Sequence, residues 1–129
     1  MDLSHLHLHV ADRARSEAFY AQWFGLRVSA HGREITFMNG DRKFLLALMA
    51  DPAPEPMPRW FHFGFRVESA DAVAAMLERM AAAQVPIVRP LYRDETFASF
   101  RCADPDAYAI EVYWEPDMHE TPPEETAAD

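Results

Sequence analysis

The chain has 129 residues, half of them hydrophobic, and its 21 acidic against 12 basic side chains leave a net charge of −9. That length supports one compact domain with a real core, and so acidic a balance argues against a nucleic-acid partner, because phosphate binding needs a basic face. No apolar run approaches the roughly 20 residues of a membrane helix. The N-terminus lacks a basic segment followed by an apolar one, and the single cysteine, Cys102, can form no internal disulfide, so the expected compartment is a reducing cytoplasm.

The first element is a strand from His5 to Val10, with Leu6, Leu8 and Val10 on one face and His5, His7 and His9 on the other. Asp12 is placed to cap a helix whose apolar stripe is built from Phe19 and Trp23, with Tyr20 beside them. Gly25 stands where a C-terminal cap belongs. Strand candidates follow at Leu26–Ala30, Glu34–Met38 and Lys43–Met49, with Asn39-Gly40 as the turn before the last. Residues 51–59 then place proline at every second position, a stiff extended connector that cannot donate ladder hydrogen bonds.

After the connector the pattern repeats. His62-Phe-Gly-Phe-Arg-Val67 alternates as His5–Val10 does, and Ser69 is placed to cap a helix with Val73, Met76, Leu77 and Met80 on one face. Strand candidates Val85–Arg89, Phe97–Ala103 and Tyr108–Trp114 follow, the last two joined by a turn at Asp104-Pro-Asp106. The expected organisation is α+β, one domain over residues 1–114 made of two βαβββ repeats (3–50 and 60–114, joined by 51–59). Neither repeat alone buries enough surface to stand by itself. Residues 115–129 are acidic and proline-containing and are expected to be disordered.

Parity selects the candidate site. The apolar faces floor the helices, which leaves His5 and His62, at the same place in both repeats, on the opposite, concave faces. A turn centred on Asp106 sets Arg101 opposite Glu111 on one face of the last hairpin. A carboxylate between Ile110 and Val112 needs a partner: either the Arg101 guanidinium, or a metal shared with the two histidines as a 2-His-1-carboxylate set. His9, His31 and the tail residue His119 read as solvated side chains, while His7 is either a bystander or part of the site.

Two segments carry a family resemblance. Asp12, Arg15, Ser16, Phe19, Tyr20, Gly25 and Leu26 resemble the signature of glyoxalase, bleomycin-resistance and dioxygenase proteins, the vicinal oxygen chelate superfamily, and Asp104-Pro-Asp-Ala-Tyr-Ala-Ile-Glu111 resembles its second motif. The resemblance spans residues 3–114. It implies two βαβββ modules forming an incomplete barrel, commonly in a homodimer. It also implies one divalent metal held by His5, His62 and Glu111, with Fe2+ or Mn2+ favoured and Zn2+, Ni2+ or Co2+ alternatives.

Two departures matter. Ala107 replaces the glycine of the turn, so it must avoid a left-handed backbone or bear its cost. The fourth strand offers no carboxylate ligand, unlike glyoxalase I enzymes. Three protein ligands leave open positions, as in extradiol dioxygenases and fosfomycin-resistance thiol transferases. However, Arg101 stands ten residues before Glu111, where such dioxygenases often carry tyrosine, and no potassium-binding loop of the fosfomycin type is present.

The implied activity is metal-dependent dioxygenase, lyase or isomerase chemistry on a small oxygenated molecule. Arg101 would hold an anionic group or developing charge, and His7 or Tyr113 would act as the acid–base group, imidazole being better suited near neutral pH. The alternatives are a bleomycin-resistance-type binder without catalysis and a glyoxalase- or fosfomycin-like thiol enzyme.

Overall fold

A computed structural model describes residues 1–116. Its elements run β1 (His5–Val10), α1 (Arg13–Phe24), β2 (Arg27–His31), β3 (Ile35–Asn39), β4 (Leu45–Ala50), β5 (Phe63–Arg66), α2 (Ala70–Ala82), β6 (Ile87–Arg93), β7 (Ala98–Ala103) and β8 (Ala109–Trp114). The α+β class and the duplicated βαβββ order are those expected. Each repeat forms a four-stranded open sheet, ordered β1-β4-β3-β2 in one and β5-β8-β7-β6 in the other. The first strand of each repeat pairs in parallel with its last. Of the tail expected over 115–129, the part from Asp117 onward lies outside the described residues.

Two compact units result: Met1–Phe61 with Ala103–Tyr108, and His62–Cys102 with the described residues that follow Tyr108. In the first, Leu8, Val10, Met38, Leu46 and Leu48 are almost fully buried on one sheet face. The register places His5, His7 and His9 beside Leu45, Ala47 and Met49 on the other face. Asp12 caps α1 by accepting from the Arg15 amide at 3.1 Å, and Gly25 closes it at φ 67° in the left-handed region.

The buried side of α1 corrects the expected stripe. Phe19 and Trp23 are only half-buried, whereas Ser16 and Tyr20 are fully buried. The reason is polar: the Tyr20 hydroxyl donates to Asp104 Oδ2 at 2.6 Å, and Asp104 Oδ1 accepts from the amides of Asp106 and Tyr108, both at 2.9 Å. Asp106 in turn accepts from the Ala11 amide at 3.0 Å, from Arg15 Nη2 at 3.3 Å and from the Ser16 hydroxyl at 3.4 Å. The two motifs that carried the family resemblance therefore meet in one hydrogen-bonded lock on the 103–108 turn. Burial pushes the Asp104 carboxyl above its ordinary value, against the hydrogen bonds that favour its anion.

In the second unit Ser69 caps α2 by accepting from the Ala72 amide at 3.0 Å, and Val73, Met76 and Met80 are buried. They cover the face bearing Phe100, Cys102, Ile110 and Val112, all fully buried. Most strand bounds differ from those expected, and two of the differences have a visible cause. His62 lies one residue before β5, because a turn in which the Phe61 amide donates to Pro58 O at 3.0 Å delays pairing until Phe63 meets Ile110. β6 does not stop at Arg89 but runs through Pro90, which an edge strand accommodates where irregular register leaves its missing N–H without cost.

Candidate functional site

Alternation assigns the second unit's polar cluster. In the β5–β8 register Gly64 meets Glu111 and Arg66 meets Tyr113, so these residues share the sheet face turned away from α2. β7 adds Ser99 and Arg101 to that face, and the β6–β7 register places Arg89 opposite Arg101 and Tyr92 opposite Ser99. Glu111 would be costly here without partners, and it has two. The Ser99 hydroxyl donates to Oε2 at 2.8 Å, and Arg101 Nε lies 3.9 Å from the same oxygen. Arg101 Nη2 also donates to His62 Nε2 at 3.2 Å. The expected opposition of Arg101 and Glu111 is thus present, and the guanidinium touches both His62 and Glu111.

Gly64 makes the close packing of this face possible. A Cβ there would lie 3.1 Å from the Tyr113 ring and 3.2 Å from Glu111 O, tighter than most side-chain contacts tolerate. The Tyr113 ring therefore packs against the strand at this glycine. Burial first, then the charge of Glu115, pushes its phenol above its ordinary value, so Tyr113 keeps its proton at neutral pH.

The remaining candidates lie in the first unit. His5 and His7 are exposed on β1, opposite Leu45 and Ala47, and His7 packs edge-on against His9 with ring centroids 5.2 Å apart. His9 is tied to Asp51 at 2.9 Å and His31 to Glu17 at 2.7 Å, which accounts for both without a functional role.

Among the described residues no three His, Cys, Asp or Glu side chains cluster closely enough to hold a metal ion. Within the second unit the structure brings together His62, Glu111 and Arg101. The donor types nonetheless suit a divalent ion, and the second unit supplies a stand-in for one. His62 Nε2 and Glu111 Oε2 both face a single cationic group, the Arg101 guanidinium. Ser99 and Arg89 were missed by sequence reasoning, although both fall on the Arg101 face and two-residue alternation along β7 would have identified Ser99.

Comparison with known proteins agrees with this architecture. The sequence profile of the Glyoxalase/Bleomycin resistance protein/Dioxygenase superfamily matches residues 2–112. Among solved structures, a possible glyoxalase from Bacillus cereus is 29% identical with a TM-score of 0.75, over 87% of this chain and 97% of that one. A lactoylglutathione lyase from Agrobacterium tumefaciens is 23% identical with a TM-score of 0.69, over 88% and 92% of the two chains. The fosfomycin resistance protein FosX from Listeria monocytogenes is 20% identical with a TM-score of 0.74, over 88% and 93%; these last two are likenesses of fold. No curated protein matches. No helix among the described residues is long and apolar enough to cross a membrane.

Proposed function

The chain belongs to the Glyoxalase/Bleomycin resistance protein/Dioxygenase superfamily, and from that premise we propose that it is a divalent-metal enzyme acting on a small oxygenated molecule. His5, His62 and Glu111 are the metal ligands of this reading, and a homodimer is its working form. The observation that supports it most is the convergence of His62 and Glu111 on one cationic group, Arg101.

When bound, the metal supplies Lewis acidity toward neighbouring oxygens of the ligand, which suits a ring-opening dioxygenase or a related lyase or isomerase. The chain's own groups do the rest. Ser99 fixes the Glu111 carboxylate through its hydroxyl and so sets the direction in which Glu111 presents its lone pairs. With His62 and Glu111 holding an ion, the Arg101 N–H donors would be available to negative charge on the ligand. His7 carries protons, and Tyr113, whose phenol stays protonated, donates a hydrogen bond.

A second reading has its own support. Arg101 already satisfies both His62 and Glu111 without a metal, as a non-catalytic small-molecule binder of the bleomycin-resistance type would require. Metal analysis of tag-free protein separates the two. The enzyme reading expects about one bound Fe2+ or Mn2+ per chain, lost in His62→Ala and Glu111→Ala. A metal-free protein that stays metal-free on incubation with those ions leaves only the binder.

A further inference from the structure

We propose that the open face of the second unit is an oxyanion-binding face, on which Arg89 and Arg101 together grip a small ligand bearing a carboxylate or phosphate group. This rests on that face being the ligand-facing one, as proposed above, and does not require the metal.

Charge is the first argument. The chain as a whole is acidic, at −9, yet this face gathers Arg66, Arg89 and Arg101 against Glu111, with Glu115 beyond Tyr113 at its end near Arg66. Arg66 and Glu111 are placed there by their register with Tyr113 and Gly64, and Arg89 by its register with Arg101. Like charges directly opposite one another on neighbouring strands destabilise a sheet. Glu111 lies against one arginine of this pair only, and its Oε2 is shared with the Ser99 hydroxyl. Arg89 is exposed and makes no hydrogen bond or ion pair among the described residues, so no described residue compensates its charge.

The donor count at Arg101 points the same way. A guanidinium presents five N–H donors, and within the described residues only Nη2 finds an acceptor, His62 Nε2. Its Nε is buried and makes no hydrogen bond, while the side chain keeps only 18% of its exposure. Nε faces Glu111 from 3.9 Å and is closed to a ligand, so the donors an incoming oxyanion meets are the unused N–H groups of the Nη atoms. The planar fork of arginine matches the paired oxygens of a carboxylate or phosphate, and a second fork directly across the strand adds charge at the same place.

The sister sheet differs. The corresponding face of the first unit carries His5, His7 and His9 beside Leu45, Ala47 and Met49, and the arginine that its register adds, Arg27 opposite Asn39, is ion-paired with Asp41 at 3.5 Å. What is specific to the second copy is a pair of arginines set opposite one another, Arg89 and Arg101.

The test is calorimetric titration of the full chain, stripped of metal with a chelator, with inorganic phosphate and separately with malonate at low salt. At least one anion is expected to bind. Arg89→Gln should weaken it about tenfold or more, and Arg89→Lys, which keeps the charge but loses the fork, should weaken it less. Arg89 is exposed, so neither change threatens folding. Arg42→Gln, in the first unit beside Lys43, should leave affinity unchanged. Absence of binding by both anions, equal affinity in Arg89→Gln, or loss of binding in Arg42→Gln would each overturn the proposal. A protein that takes up metal through His62 yet ignores both anions would overturn this proposal alone. One that binds phosphate through Arg89 but never loads metal would overturn only the enzyme reading.

Discussion

Ala107 occupies the position where the family motif has glycine, and its φ of 67° is left-handed. A Cβ in that region is strained by on the order of 1 kcal/mol, and the strain is held in place because Asp104 O accepts from the Ala107 amide at 2.9 Å inside the Asp104 lock. Ala107→Gly should therefore raise the free energy of unfolding by about 1 kcal/mol, read as a higher urea midpoint at unchanged slope. An unmoved midpoint would mean that the turn carries no strain.

Arg101 is the other residue whose surroundings fix an expectation. An imidazole lone pair serves one partner at a time, and two cations crowded at one carboxylate repel. Arg101→Met removes the guanidinium that donates to His62 and lies against Glu111. On the enzyme reading it should tighten Mn2+ binding about tenfold, measured by competition with a fluorescent chelator. Equal or weaker binding by the variant would show that Arg101 does not compete with the ion.

At the scale of elements, α1 is fastened to β3 through Glu17. Its carboxylate accepts from the Thr36 hydroxyl at 2.6 Å and contacts His31 Nε2 at 2.7 Å, while Arg13 Nη1 reaches Thr36 at 3.4 Å. Burial alone would raise the Glu17 carboxyl, but the hydrogen bonds of Thr36 and His31, then the charges of His31 and Arg13, outweigh it and hold the carboxyl below its ordinary value. A carboxyl lowered on folding contributes stability that is present above its unfolded value and lost as pH falls through the folded one. Glu17→Gln removes that contribution. Its stability should fall less steeply than the parent's on acidification below the ordinary carboxylate range, as followed by thermal unfolding at stepped pH. Parallel curves would show that Glu17 does not fasten the helix.

The elements also show where sequence pattern was sufficient. α2 was legible because Val73, Met76 and Met80 recur at helical spacing and are the residues buried. The stripe of α1 was misread because Tyr20 is held by a hydroxyl-to-carboxylate bond across 84 residues of sequence, which no local period reports. β6 looked finished at Arg89 because proline ends most strands, and only the edge position of β6 in the sheet permits it to continue.

For the whole molecule, the sequence by itself determined the duplication, the α+β class, the family and the candidate ligands His5, His62 and Glu111. Each of these is written in residue types at fixed spacings, and strand alternation or a motif carries that information locally. The tertiary structure decided what stands beside those residues. Ser99 holds the Glu111 carboxylate, and the Arg101 guanidinium lies between Glu111 and His62. Arg89 faces Arg101 across β6 and β7, where irregular register around Arg89 obscures the pairing in the sequence. The physical reason is range: periodicity fixes which face a side chain occupies, whereas the partner it meets depends on strand order and register, set by residues far away in the chain.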